Sequence, residues 1–254
     1  MTLVSSDWLN ENLKKVKIID ASWHLVKNRN SIEEYNKEHI ENAIFFDLDK
    51  NSNQKKNLPH GHFLPSLREH EKAVSEMGIS NTDQIIIYCY SNLISSCRAW
   101  FQFLYFGHNP KLVSVLNGGM KKWKLEGRKV TNLKTKITPS NYIAKENKNM
   151  IKVKSEIEKN IKKKYFTVLD GRSKNRFLGL ESEPRPGIRS GSIEGSKSMP
   201  LSEIINVEDN TFLSTKKLRD IFNLSEITSN KIVMSCGSSV TAASLALAYS
   251  LIND

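Results

Sequence analysis

Cysteine is scarce in this chain. Cys89, Cys97 and Cys236 are the only three among 254 residues, and an odd, sparse count excludes a disulfide-stapled fold and indicates a reducing compartment. No apolar run approaches the ~20 residues that span a bilayer. The N-terminus, M-T-L-V-S-S-D-W-L, has neither the basic nor the apolar region of a secretory signal. Acidic residues are outnumbered, 27 against 38 Lys and Arg, for a net charge of +11. The lysines fall in short scattered runs (Lys14-Lys15, Lys55-Lys56, Lys121-Lys122, Lys162 to Lys164, Lys216-Lys217) without zinc-ligand spacing or an RNA-binding aromatic motif. That pattern excludes a recognisable nucleic-acid module and leaves a field suited to recruiting a small anion. The expectation is a soluble, cytoplasmic protein with no nucleic-acid and no membrane partner.

The chain does have enough apolar residues, 39%, for a real core, and enough length for one large or two ordinary domains. Short apolar runs alternate with helical patterns. Strands are expected at Lys17 to Ala21, Ile44 to Phe46, Gln84 to Tyr88 and Leu112 to Leu116. Helices are expected after Val4, over Ile32 to His39 and Ser66 to Met77, through Arg98 to Phe106, and around Trp123 after the turn Asn117-Gly118-Gly119. This alternation predicts an α/β fold with a mostly parallel sheet. Residues 129–150 lose periodicity and read as a linker between domains over 1–128 and 151–254.

The order then recurs. Lys152 to Ile161 matches Val4 to Leu13, which reads as a short lead-in strand and a helix, and Phe166 to Arg172 matches Lys17 to Ala21. Asp20 to Asp170, Ile40 to Ile193 and Cys89 to Cys236 are offset by 150, 153 and 147 residues. Two copies at that spacing mean duplication of one domain. The first copy closes with Leu112 to Trp123. The second reaches Asp254 where that strand and helix should begin, so a truncated or incomplete second domain is expected, with an unpaired edge beside the strand carrying Cys236.

That strand opens the most informative stretch, K-I-V-M-S-C-G-S-S-V-T-A-A-S-L-A-L-A-Y-S-L-I-N-D from Lys231 to Asp254. Ile232 to Met234 suits a buried strand, Ala242 to Ile252 a helix, and a six-residue loop headed by Cys236 lies between. Strand, loop and helix in this order aim loop amides and the positive helix end at the sulfur, which favours a thiolate. Gly237, Ser238 and Ser239 are small enough for the amides to converge, and Thr241 adds a hydroxyl. Read without context, a free cysteine at a strand end serves equally as a small buried hydrophobe. Arg176 and Arg185 lie in R-F-L-G-L-E-S-E-P-R, a Gly- and Pro-containing loop able to fold back. Two converging guanidiniums fit the carboxylate of a 2-oxo acid; two solvated loop arginines are the alternative.

The motifs V-S-S-D-W-L, I-I-D-A-S-W, H-I-E-N-A-I-F-F-D-L-D, L-P-H, S-S-C-R-A-W, V-S-V-L-N-G-G-M-K-K-W, L-D-G-R and S-C-G-S-S-V-T-A together resemble the two-domain rhodanese-type sulfurtransferases, and among them the 3-mercaptopyruvate sulfurtransferases. The resemblance covers nearly the whole chain in order. It implies two tandem rhodanese-like domains, each a parallel five-stranded sheet between helices, with the second lacking its last strand and helix here. It implies an idle first domain and a site between the domains. Cys236 would take sulfur from 3-mercaptopyruvate as a persulfide, release pyruvate, and pass the sulfur to a thiol such as thioredoxin or to cyanide, in a monomer needing neither metal nor organic cofactor. Arg176 and Arg185 match the family's substrate arginines, and Gly237, Ser239, Val240 and Thr241 its cradle loop. Ser238 and Asp49 match the outer members of a proposed Ser–His–Asp relay. For the histidine, His60 keeps the spacing from the acid and His62 the proximity to the following L-P.

There are departures. Ser239 stands where the family has glycine, Ser192 where a second motif has histidine, and Cys89 where the idle copy has aspartate, which makes Cys89 a backup nucleophile. Cys97, on the following helix, is expected to be packed. A thiosulfate sulfurtransferase is the nearest rival, but its loop carries cations where Gly237 and Ser238 are neutral. A non-catalytic rhodanese-like binding or regulatory protein is the other.

Overall fold

The structure is a computed structural model and describes residues 1–25, 28–53, 61–224 and 231–253. Five parallel strands form the first sheet: β1 (Leu3–Val4), β2 (Lys17–Asp20), β3 (Ala43–Phe45), β4 (Ile85–Tyr88) and β5 (Val113–Leu116), in the order β1-β5-β4-β2-β3. Burial on both faces explains why these strands read as unbroken apolar runs; Ile85, Ile86 and Ile87 are fully enclosed. Around the sheet lie α1 (Ser6–Asn12), α2 (Ser31–Lys37), α3 (Leu67–Glu76), α4 (Ser96–Tyr105) and α5 (Gly119–Leu125). Ser5 caps α1 through the Trp8 amide, and Ser66 with Glu69 forms a capping box on α3.

The second sheet contains β6 (Thr167–Asp170), β7 (Lys197–Ser198) and β8 (Ile232–Ser235), in the order β7-β6-β8 and again parallel. Its helices are α6 (Lys154–Lys163), α7 (Lys174–Leu178), α8 (Thr215–Leu224) and α9 (Val240–Asn253). Lys152 and Val153 form no strand. The reason lies in the first sheet, where the lead-in strand β1 pairs with β5 alone. No described strand plays the part of β5 beside β8, so a lead-in strand here has nothing to join, and the outer edge of β8 is unpaired among the described residues.

Residues 129–150 are not a loose tether. They run extended across the first α/β unit, where Thr131 pairs with His39, Ser140 bonds Ser75 and Ile79, and Lys145 and Asn147 bond the carbonyls of Phe106 and Tyr105. Main-chain bonds to a neighbour explain the absence of a helical or strand period. α4 and α9 pack together, with Ser244 of α9 donating to the Ile94 carbonyl, and this contact joins the two units. No helix among the described residues is long and apolar enough to cross a membrane.

Behind α4, His70 stacks on Phe106 with ring centroids 4.1 Å apart and is 1% exposed. The Gln102 amide donates to Asn51 O and to His70 Nδ1, so the neutral imidazole is the fitted form. Burial pushes the His70 pKa down to about 3, with the charge of His108 adding to the shift. The native state therefore binds fewer protons than the unfolded chain below pH 6.5. Stability from this residue is full above that pH and falls at up to ~1.4 kcal/mol per unit below it. Asp20, buried at the end of β2 and raised to about 6 by that burial, works in the opposite sense over pH 4–6, so a difference experiment isolates His70. His70→Phe is expected to remove about one proton from the pH dependence of unfolding free energy between pH 6 and 4. Urea titrations at several pH values check this, and an unchanged slope would refute it.

Candidate active site

β6 and β8 pair in register, with Asp170 opposite Ser235. Cys236 follows at once, at the C-terminal end of a parallel strand, where sites of open α/β sheets form. α9 begins at Val240, two residues earlier than the sequence pattern indicates. The loop is therefore four residues, Cys236 to Ser239, and Val240 and Thr241 lie in the first helical turn. The shortening brings the helix N-terminus onto the thiol: the Ala242 amide donates to Cys236 Sγ at 3.4 Å. Ser239 adopts φ 64°, the left-handed conformation that costs a residue with a Cβ roughly 1 kcal/mol or more. Ser239 thus holds a backbone conformation that a glycine would adopt without this cost.

Gly237 borders the charged part of the site. A Cβ there would lie 3.2 Å from Arg176 Nη2, 3.8 Å from Glu183 Oε2 and 3.9 Å from Arg185 Nη1. Any side chain would occupy the space facing both guanidiniums. The two arginines are held differently. Arg176 is bound by Glu183, which also binds Arg172, itself paired with Asp170 at 2.7 Å. Burial works to raise the Glu183 carboxyl, but the hydrogen bonds of Arg176 and Arg172 outweigh it and hold it below its ordinary range. Arg185 has no ion pair among the described residues and lies over the Trp23 ring, 6.0 Å from its centroid.

The first α/β unit contributes the opposite wall. His62 Nε2 lies 2.8 Å from Asp49 Oδ1, and the Trp23 indole donates to Asp49 Oδ2 at 3.2 Å. The His62 bond is the main influence holding Asp49 below the ordinary carboxylate range; burial opposes it, and Trp23 and Arg185 assist. Nε2 is committed to the carboxylate, and Nδ1 is buried with no hydrogen-bond partner among the described residues. The structure thus pairs His62 with Asp49, while His60 lies outside the described residues. Ser238 lies in the loop two residues after Cys236, and His62 and Asp49 form their pair in the first unit.

Arg98 is the functional candidate that sequence reasoning missed. It lies in α4 within S-S-C-R-A-W and is 2% exposed. Its Nη2 donates to the His62 carbonyl at 2.8 Å, while Nε and Nη1 have no described partner. Burial lowers its pKa to about 10, and the neighbouring Cys236 opposes the shift. An arginine in an apolar helix face was the available signal, since one is seldom buried without a task.

Cys89 does not repeat the Cys236 arrangement. It is 5% exposed, and its thiol donates weakly to Ser96 Oγ and Ser91 O. The Met120 amide bonds its carbonyl, and Gly119 packs so closely that a Cβ there would lie 2.4 Å from that oxygen. The turn before α5 packs against the Cys89 backbone, and the buried thiol lacks the helix-N-terminal amide that Cys236 receives. Cys97 is packed as expected, and burial pushes its thiol pKa up.

Two parallel α/β units, with a cysteine loop of the second facing a histidine–carboxylate pair of the first, define the two-domain rhodanese fold. A rhodanese-like domain family matches residues 5–126. The Arabidopsis thaliana mitochondrial thiosulfate/3-mercaptopyruvate sulfurtransferase 1 is 35% identical over 96% of this chain and 70% of its own length. The Cricetulus griseus thiosulfate sulfurtransferase is 34% identical over 97% of this chain and 84% of its own. The crystal structure of the Escherichia coli 3-mercaptopyruvate sulfurtransferase SseA superposes with a TM-score of 0.89 and 28% identity, covering 100% of this chain and 95% of that one. The chain belongs to the rhodanese-type family of thiosulfate and 3-mercaptopyruvate sulfurtransferases, enzymes that transfer sulfur.

Proposed function

We propose that the protein moves sulfur from 3-mercaptopyruvate, through a persulfide on Cys236, to a thiol such as thioredoxin or to cyanide. The observation that carries this reading is the approach of two guanidiniums to Gly237, beside a cysteine at the N-terminus of α9. Arg185 and Arg176 bind the carboxylate and keto oxygen of the donor. The Cys236 thiolate attacks the donor sulfur, the carbon–sulfur bond breaks, and its electron pair forms the enolate of pyruvate. The His62–Asp49 pair, whose carboxylate is its exposed member, takes the donor's thiol proton and returns it to the enolate carbon. Arg98 stabilises the sulfur anion before and after transfer. The loop of Gly237, Ser238 and Ser239 and the first turn at Val240 and Thr241 cradle the persulfide. The acceptor thiolate then attacks the outer sulfur and restores Cys236.

The neutral Gly237 and Ser238 favour a monocarboxylate over the thiosulfate dianion. The register of Asp20 with Tyr88 and of Asp170 with Ser235, each followed by a cysteine, supports a duplicated domain with boundaries near residues 128 and 151. Three free cysteines support a reducing compartment. With purified protein, kcat/KM for 3-mercaptopyruvate and a thiol is expected to exceed that for thiosulfate and cyanide by at least about tenfold, and donor alone should add one sulfur to Cys236 by intact mass. A preference for thiosulfate would move the assignment to that subclass. A folded chain that turns over neither donor and gains no sulfur would mark a binding or regulatory protein.

A further inference from the structure

We infer that Trp23 is a positioning residue that ties the substrate-anchoring Arg185 to the Asp49–His62 pair; the inference rests on the function proposed above. Trp23 follows β2, and its amide is fixed by Ser95 Oγ at 3.1 Å, whose hydroxyl in turn donates to Ala21 O. From this fixed backbone the side chain meets three site residues. Its Nε1–H donates to Asp49 Oδ2 at 3.2 Å, leaving Oδ1 for His62. Its ring meets the His62 ring edge-on, at 4.6 Å and 87°. Its π-face lies under Arg185, at the outer limit of a cation–π contact.

Each contact limits one freedom the chemistry must restrict. The indole N–H holds Oδ2 of the Asp49 carboxylate while His62 holds Oδ1, so the two bonds together set its rotation. The edge contact sets the plane of His62 and so the direction of its Nε2 toward Asp49. The π-face holds Arg185 beside Gly237 without occupying its hydrogen-bond donors. Glu183 holds Arg176 at the cost of those donors, so among the described residues Arg185 is the guanidinium whose fork is open to an incoming carboxylate.

The two roles separate by substitution. Trp23→Phe keeps an aromatic face and removes the N–H; Trp23→Leu removes both. For Trp23→Phe the expectation is a kcat for 3-mercaptopyruvate lowered about tenfold with KM within twofold. For Trp23→Leu, KM should rise by a further factor of about five. A readout independent of turnover is alkylation of Cys236 by iodoacetate, which carries a carboxylate, against neutral iodoacetamide. The rate ratio should fall about fivefold in Trp23→Leu, stay within twofold in Trp23→Phe, and show no further loss when Trp23→Leu is added to Arg185→Leu. A merely structural tryptophan would slow both reagents alike and leave the ratio unchanged. An unchanged ratio in Trp23→Leu, or an equal further loss in the Arg185→Leu background, overturns the proposal. A wild-type chain that favours iodoacetate yet releases no pyruvate would overturn the donor assignment alone.

Discussion

Cys236→Ser is expected to abolish pyruvate release from 3-mercaptopyruvate, with a loss of at least about a thousandfold. A serine hydroxyl is not ionised at neutral pH and is a far weaker nucleophile than a thiolate. It cannot form the persulfide that carries sulfur between donor and acceptor. Neither other cysteine can substitute. Cys89 lies beneath the turn before α5, and Cys97 is fully buried with its thiol pKa pushed up. The variant should therefore gain no sulfur by intact mass after exposure to donor. The side chain is only half-buried and the exchange is nearly isosteric, so the thermal midpoint should move by no more than about 2 °C. Retention of a tenth of wild-type activity would mean that the persulfide forms elsewhere.

Arg98→Met is expected to lower kcat/KM about a hundredfold while leaving stability equal or greater. Arg98 is a buried cation with no carboxylate partner among the described residues. Its Nη2 donates to the His62 carbonyl, and its guanidinium lies 5.9 Å from the centroid of the Phe101 ring. Even lowered to about 10, its pKa keeps it charged at neutral pH, and folding bears the desolvation cost. Methionine has similar length and no charge, so it removes that cost and, with it, the cation beside Cys236. Loss of one preorganised electrostatic contact in an enclosed site costs about two to three orders of magnitude. Alkylation of Cys236 by iodoacetamide at pH 7 should slow about tenfold, and Arg98→Lys should recover part of both losses. Kinetics and thermal denaturation of the three proteins check this. A drop in thermal midpoint of several degrees with unchanged turnover would make Arg98 a structural residue.

The two variants differ in how visible their residues are from the sequence. Cys236 is legible because its neighbours encode its setting: an apolar strand before it, small residues after it, then Ala and Leu. Helix, strand and turn preferences act over a few residues, so a strand–loop–helix cradle can be read locally. The same holds for Ser66 with Glu69 and for the isoleucine run of β4. Arg98 was not legible because its meaning depends on distance in space. It is 138 residues from Cys236 in sequence, and only the packing of α4 against α9 brings the two together. Trp23 is of the same kind, since Asp49 and His62 reach it from the connection between β3 and α3 and Arg185 from the segment after α7.

The sequence by itself determined the alternation of strands and helices, their parallel arrangement, the cysteine on its loop and the pair of candidate substrate arginines. These rest on local propensity and on the recurrence of motifs about 150 residues apart. The tertiary structure decided that α9 starts at Val240 and aims an amide at the sulfur, that Glu183 holds Arg176 while Arg185 stays open, that His62 is paired with Asp49, and that Cys89 is covered. Each of these depends on which side chain reaches which in the folded chain. Burial and charge pairing are sums over residues remote in sequence, and they take their values only once the two sheets are packed together.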